Sequence, residues 1–100
     1  MDSLTVEKMS EVLWLASDKT RLRILLCLLS SDDGLVEKSV NQISLELNIS
    51  QSLTSHQLKV LKDAKLIAFR KEGRTVYYRL DDEHVNKLIE VVREHVEEAR

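Results

Sequence analysis

Apolar residues recur at helical spacing in the first third of the chain. Residues 4–16 (LTVEKMSEVLWLA) place apolar side chains at intervals of three and four, a pattern that predicts a helix. Asp18 is a suitable N-cap for a second helix over residues 19–29, which is apolar over most of its surface and is therefore expected to be buried. Residues 30–38 (SSDDGLVEK) are expected to form a loop.

The next two helices have the spacing of a helix-turn-helix. Ser39 is expected to cap a short helix that runs to Leu47, and Asn48 suits the left-handed conformation that ends many helices. Ser50 then caps a longer helix over residues 51–64. Because a short helix, a three-residue turn and a longer helix form the helix-turn-helix pattern, we name the longer one the reading helix.

From residue 66 the apolar pattern becomes that of strands and then returns to that of a helix. The runs LIAFR and TVYYRL are β-prone and are joined by Lys71, Glu72, Gly73 and Arg74, where Gly73 permits a tight turn. Asp81 and Asp82 are expected to cap a last helix that ends near Glu98, with one apolar stripe formed by Val85, Leu88, Ile89, Val92 and Val96. The predicted fold is mainly α with a β-hairpin, a winged helix-turn-helix with extra N- and C-terminal helices.

The composition agrees with a small helical protein. The chain has 100 residues, two glycines and no proline, which favours long helices over a β-sandwich. Its length predicts one domain, residues 1–100, that would gain stability by burying a further apolar face in a homodimer. The single cysteine, the acidic N-terminus and the lack of an apolar run of about 20 residues predict a cytoplasmic protein with no membrane partner.

Positive charge is concentrated in one part of the chain. The net charge is −2, but residues 50–79 carry seven Lys or Arg against two Asp or Glu, a local balance of +5 between acidic flanks. Such a block is typical of a surface that binds a polyanion.

The reading helix and the hairpin together predict contacts to double-stranded DNA. At about 100° per residue, Thr54, Leu58 and Leu61 lie on one side of the helix and polar side chains lie on the other. Amide, hydroxyl and cationic side chains in the second helix of a helix-turn-helix suit base edges and phosphates in a major groove. The predicted DNA-binding residues are Ser50, Gln51, Ser52, Ser55, His56 and Lys59 of the helix and Arg70, Lys71 and Arg74 of the hairpin.

The last helix carries a set of candidate metal ligands, Asp82, His84, His95 and Glu98. Eleven residues of helix separate the two histidines by about 16 Å, whereas zinc holds its ligands at about 2 Å. One chain therefore cannot complete the site, but two antiparallel copies of this helix would form two equivalent sites across a dimer. Two imidazoles and two carboxylates suit Zn²⁺ or Co²⁺.

Over nearly its whole length the chain resembles the ArsR/SmtB family of bacterial winged-helix metal sensors. The reading helix and hairpin of that family look like ISQSLTSHQLKVLKDAKLI and GRTVYYRL, and its second helix is similar to SDKTRLRILLCLL. In the zinc- and cobalt-responding branch the last helix carries D-x-H followed by H-x-x-E/H, and this chain has Asp82, His84, His95 and Glu98 at those positions.

The resemblance implies a metal-responsive transcriptional repressor. Its metal-free homodimer would hold an imperfect palindrome of operator DNA, and Zn²⁺, Co²⁺ or Ni²⁺ bound between the subunits would release it to derepress metal efflux or resistance genes. Thiol-based branches of the family use paired cysteines, so the single Cys27 is expected to be a core residue.

The sequence also allows two other functions. A regulator of the same build could respond to a non-metal signal, and a small dimeric adaptor could use the acidic surfaces to bind protein. An enzyme is disfavoured, because the chain has neither a glycine-rich phosphate loop nor a nucleophile elbow.

Overall fold

The computed structural model describes residues 1–31 and 34–100, and their elements follow the predicted order with one addition. The helices are α1 (Ser3–Ala16), α2 (Lys19–Cys27), α3 (Val40–Leu47), α4 (Gln51–Asp63) and α5 (Glu83–Glu98). The strands are β1 (Lys38–Ser39), β2 (Ile67–Glu72) and β3 (Thr75–Leu80). None of the described helices is long and apolar enough to cross a membrane.

The N-terminal ends of the helices are capped by the side chains that the sequence indicates. Asp18, Ser39 and Ser50 each accept a hydrogen bond from the backbone N–H three residues later, and Ser39 forms a reciprocal capping box with Gln42. Only one of the two aspartates predicted to cap α5 does so. Asp82 accepts from the N–H of Val85, whereas the N–H of Asp81 donates to the carbonyl of Leu66.

Two left-handed residues end the two helices of the helix-turn-helix. Asn48 has φ 55°, as predicted, and the N–H of Ile49 then bonds to the carbonyl of Ser44 at 3.1 Å. Lys65 has φ 61°, and the N–H of Leu66 reaches the carbonyl of Leu61 at 3.0 Å. Both ends are therefore Schellman motifs, which satisfy carbonyls that a helix end leaves without partners.

The sheet contains a strand that the sequence analysis placed in a loop. β1 pairs antiparallel with β3, and the strand order is β1-β3-β2. Lys71 and Glu72, which were expected in the connection of the hairpin, belong to β2 and pair with β3. The turn consists of Gly73 and Arg74, and Gly73 has φ 62°, which costs glycine little. We call the β2–β3 hairpin the wing.

The core is formed by α2, α3, α4, the base of the wing and one residue of α5. Its buried members are Ile24, Leu25, Leu28, Ile43, Leu58, Leu61, Leu66, Ile67, Leu80 and Ile89. The expectation that the second helix runs to residue 29 and is buried over most of its surface is wrong, because α2 ends at Cys27 and is buried along one side only. The first helix, α1, has no buried residue. The apolar run of α2 is therefore not completely buried, because a single chain of this size has too little other surface to cover it.

Arg21 joins three helices through its guanidinium group. Its Nε donates to the carbonyl of Leu15 at 2.7 Å, and its Nη1 donates to Oε1 of Gln57 at 3.1 Å. The guanidinium also lies 5.8 Å from the ring centre of Trp14. These contacts hold α4 against the junction of α1 and α2.

Replacing Arg21 by methionine keeps the apolar stem and removes both side-chain hydrogen bonds. We expect the free energy of unfolding to fall by about 2 kcal/mol, since hydrogen bonds from a charged donor contribute roughly 1.5–3 kcal/mol. Urea denaturation measures the change. Lys19→Met, on the exposed side of the same helix, should change stability by less than about 0.5 kcal/mol. Equal losses in the two variants would contradict the assigned role of Arg21.

Candidate nucleic-acid interface and metal ligands

The reading helix α4 is held in one rotational position by its buried side. Thr54, Leu58 and Leu61 are buried, as the helical period predicts. The hydroxyl of Thr54 donates to the carbonyl of Ser50 at 2.8 Å, so its burial leaves no polar atom without a partner. The opposite side of the helix therefore points away from the core.

That opposite side presents the residues predicted to contact DNA. All six of the predicted residues at the start of the helix and along it are exposed, namely Ser50, Gln51, Ser52, Ser55, His56 and Lys59. The N-terminal end of α4 combines these side chains with the free backbone N–H groups of a first helical turn, which attract phosphate. The surface has the chemistry that major-groove recognition requires.

An amide pair that the sequence analysis missed orients Gln51, the first residue of α4. Nε2 of Gln51 donates to Oδ1 of Asn41 in α3 at 2.7 Å. The contact joins the first turns of the two helices of the helix-turn-helix, and both side chains are exposed. Gln51 therefore has a defined direction at the surface rather than a free rotamer. No local sequence signal pairs residues ten positions apart in different helices.

Lys59 is partnered within its own helix. Its Nζ lies 2.9 Å from Oδ2 of Asp63, and this hydrogen bond raises the pKa of Lys59 and lowers that of Asp63. Both side chains are well exposed, at 70% and 59%, so water screens the pair and its net stabilisation is small. A DNA phosphate can replace the carboxylate at little cost.

The wing divides its cations between two roles. Arg70 binds two carboxylates, with its Nε 2.9 Å from Glu37 and its Nη1 3.0 Å from Glu72. The hydrogen bond to Glu37 is the main cause of the raised pKa of Arg70, and the guanidinium stacks 4.9 Å from the ring centre of Tyr77. Arg70 therefore fastens the wing to the segment before β1, a role that the sequence analysis did not foresee.

Lys71 and Arg74 differ from Arg70. Both are exposed, and neither forms an ion pair with another residue of the described ranges 1–31 and 34–100. Arg74 lies in the turn at the tip of the wing, beyond the last strand pair. Lys71 on β2 and Arg74 at the tip of the wing therefore carry positive charge that no carboxylate of the described residues neutralises.

The start of α5 brings together the first two predicted metal ligands. Oδ1 of Asp82 accepts from the backbone N–H of Val85 at 3.0 Å, while its Oδ2 lies 3.5 Å from Nδ1 of His84. The bond from Val85, with a smaller contribution from His84, lowers the pKa of Asp82, so this carboxylate is ionised at neutral pH. The side chain of His84 is 96% exposed and open to a ligand on its outer side.

The other two predicted ligands lie at the opposite end of α5. His95 and Glu98 are exposed in the last turns of the helix, about 16 Å along its axis from His84 at 1.5 Å per residue. Across the described part of the chain, no three His, Cys, Asp or Glu residues are grouped so that they could hold a metal ion. Each end of α5 thus carries an imidazole and a predicted carboxylate ligand, side chains of the types that zinc takes as ligands.

The face between these two ends is apolar and uncovered. Only Ile89 of α5 is buried, and the exposed apolar residues of α5 and α1 are Leu88, Val91, Val92, Val96, Leu4, Val6, Met9, Leu13 and Trp14. A cavity of about 490 Å³ lies between α1, α2 and α5 and is lined by several of them. Part of the predicted apolar stripe of α5 therefore remains exposed to solvent in the folded single chain.

Cys27 has the properties of a core residue. It packs beside the buried cluster, and burial raises the pKa of its thiol to about 11. A metal-binding or redox-active cysteine needs the thiolate form at neutral pH. The packing and the raised pKa of Cys27 agree with the expectation that it is a core residue and not a metal ligand.

The part of the chain that contains the helix-turn-helix matches a known protein family. Residues 18–68 match the family described as "Bacterial regulatory protein, arsR family". This stretch runs from the N-cap of α2 into β2, so the proposed ligands on α5 lie outside it.

Two relatives and one solved structure extend the likeness. The chain is 33% identical over 93 residues to a "Transcriptional repressor SmtB homolog" of Synechocystis sp., covering 93% of this chain and 67% of that protein. It is 42% identical over 74 residues to the "Cadmium resistance transcriptional regulatory protein CadC homolog" of Staphylococcus aureus, covering 74% of this chain and 58% of that protein. The solution structure of a homodimeric winged helix-turn-helix DNA-binding domain, Mb0332 of Mycobacterium bovis, has a TM-score of 0.85 at 27% identity and covers 97% and 85% of the two chains.

The predicted fold and the class of protein are confirmed by these matches. The architecture is that of winged helix-turn-helix regulators, and the relatives act on transcription rather than as enzymes. The chain belongs to the arsR family of bacterial regulatory proteins.

Proposed function

We propose that the protein is a metal-responsive transcriptional repressor. Its metal-free homodimer binds an imperfect palindrome of operator DNA, and Zn²⁺, or Co²⁺ or Ni²⁺ in its place, releases the dimer from DNA. The names of the relatives support this proposal, since one is a repressor and the other is named for cadmium resistance. The regulated genes would be those for metal efflux or resistance.

One observation carries the metal response. The four proposed ligands divide between the two ends of α5, with Asp82 and His84 at its start and His95 and Glu98 at its end. The helix between them has an uncovered apolar face. When two such helices pack antiparallel, the apolar faces cover each other and each start lies beside the partner's end. The two halves then complete two equivalent sites with nitrogen and oxygen ligands, which suit zinc.

The residues of the chain supply both activities from different surfaces. In the proposed complex the major groove is contacted by Ser50, Gln51, Ser52, Ser55, His56 and Lys59, which are all exposed. Lys71 on β2 and Arg74 at the tip of the wing, both exposed, contact the phosphate backbone. Arg70, predicted as a third wing contact, acts chiefly by holding the wing in place. Bound metal would fix the two α5 helices of the dimer relative to each other and thereby set the spacing of the two reading helices.

Fluorescence anisotropy of labelled DNA tests both activities together. The probe is a duplex that the metal-free protein selects from a random-sequence pool. We expect stoichiometric Zn²⁺ to lower the affinity at least about tenfold, which is 1.4 kcal/mol and lies in the usual range of coupling free energies. Reciprocally, the duplex should weaken zinc binding by the same factor. If zinc binds stoichiometrically and DNA affinity does not change, the regulator responds to a non-metal signal.

His95→Ala separates the metal site from the DNA surface. The variant should bind the selected duplex as tightly as the wild type, because His95 lies on α5, outside both the reading helix and the wing. It should lose the zinc response, since one of the two imidazoles of each site is gone. Glu94→Ala and Cys27→Ala serve as controls and should keep the response. Loss of metal-free DNA binding in His95→Ala would mean that His95 is structural.

The wing contacts are tested by the salt dependence of binding. In a Lys71→Ala, Arg74→Ala double variant, the slope of log K against log salt should become shallower by about 0.9 for each phosphate that the protein no longer neutralises. Affinity should fall for selected and for random duplexes alike, because phosphate contacts carry no sequence information. Lys8→Ala in α1 is the matched control. An unchanged slope would remove these two residues from the interface.

A further inference from the structure

We infer that Asn86 is a positioning residue that ties the start of α5 to the wing through a chain of polar contacts. Asn86 lies in α5, two residues after His84, and is half-buried. It is neither a proposed metal ligand nor a proposed DNA contact. Its partners nevertheless lead, step by step, from the first turn of α5 to the hairpin that carries Lys71 and Arg74.

The first link uses both ends of the Asn86 amide. Its Oδ1 accepts from the backbone N–H of Ser30 at 2.8 Å, and its Nδ2 donates to the carbonyl of the same residue at 3.3 Å. Ser30 lies three residues after Cys27, the last residue of α2. Since a donor and an acceptor of one side chain grip one peptide segment, the first turn of α5 and the end of α2 cannot shift independently.

The second link joins Ser30 to Val36. Oγ of Ser30 accepts from the backbone N–H of Val36 at 2.9 Å. This bond brings the residue before Glu37 next to the residue that Asn86 holds. The position of Asn86 therefore determines where the carboxylate of Glu37 lies.

The third link reaches the wing. The carboxylate of Glu37 accepts from Nε of Arg70, at 2.9 Å and 3.1 Å to its two oxygens, and Arg70 stacks on Tyr77 of β3. The backbone adds to this connection, because β1 begins at the next residue, Lys38, and pairs with Tyr78. Glu37 is only 21% exposed, so water screens this ion pair less than the one between Lys59 and Asp63.

The chain of polar contacts has a consequence for regulation, which rests on the proposed function. Asp82 and His84 lie in the same first turn of α5 as Asn86. A ligand that moves this turn therefore also moves Ser30, Glu37 and the wing. Coupling of this kind requires continuous contacts between two sites, and evidence for it comes from coupled variants.

Hydrogen exchange of the wing tests the inference in the metal-free protein. Asn86→Ala keeps the helix and removes both bonds to Ser30. We expect amide exchange in residues 75–80 to become roughly fivefold faster, as the loss of about one hydrogen bond of stability implies, while α4 is unaffected. Lys87→Ala, at the exposed neighbouring position, should exchange like the wild type. Unchanged wing exchange in Asn86→Ala would overturn the inference.

A double-variant cycle distinguishes a relay from separate local effects. Glu37→Gln should accelerate the same wing amides, and the Asn86→Ala, Glu37→Gln double variant should be little faster than either single variant. Independent effects would instead multiply to about 25-fold, because distant sites without shared partners are additive in free energy. Asn86→Asp retains the acceptor for the Ser30 N–H and should give an intermediate rate. It also replaces the alanine variant if that variant does not fold.

Zinc titration then separates this inference from the proposed function. Asn86→Ala retains all four proposed ligands, so it should bind zinc like the wild type but show at least about a fivefold smaller effect of zinc on DNA affinity. If the wild type shows no zinc response while the wing amides behave as expected, the proposed function fails and the positional role of Asn86 remains. If the wild type responds and Asn86→Ala responds equally with unchanged wing exchange, the inference fails and the proposed function remains.

Discussion

The burial of Thr54, Leu58 and Leu61 in the core is the constraint on which the DNA-facing surface depends. A helix advances by about 100° per residue, so three buried positions determine the direction of every other side chain. Leu58 and Leu61 supply apolar area, and Thr54 can join them because its hydroxyl bonds to the carbonyl of Ser50. The left-handed ends at Asn48 and Lys65 stop the helices on both sides, so the exposed polar face has a defined length as well as a defined direction.

Electrostatics in the basic block is organised by partners rather than by the number of charges. Arg70 and Lys59 are engaged with carboxylates, and Lys62 lies 5.2 Å from the ring centre of Phe69, where it joins α4 to the wing. Lys71 and Arg74 are exposed and form no ion pair within the described residues, so they are available to an external anion. A local balance of +5 thus describes a region in which part of the positive charge holds the wing in place and part is available to phosphate.

The last helix is the part of the molecule that one chain leaves incomplete. Ile89 anchors it to the core, while most of its apolar stripe remains uncovered and its histidines stand at opposite ends. In a chain of 100 residues the core is too small to use all the apolar surface that the helices offer. In the proposed dimer, a second copy of the helix would cover this face and complete the proposed ligand set. The Asn86 contacts lie near the start of α5 and connect that end of the helix to the rest of the fold.

Features that depend on neighbours along the chain could be predicted from the residues alone. They are the helical and strand periods, the caps Asp18, Ser39 and Ser50, the left-handed Asn48 and the polar face of α4. Contacts across the fold could not be predicted and became visible only in the folded chain: β1 against β3, Gln51 with Asn41, Arg70 with Glu37, and Asn86 with Ser30. These pairs are 10 to 56 residues apart, and no periodic pattern encodes such distances. They form because the packing of the core, to which the whole chain contributes, brings their elements close together.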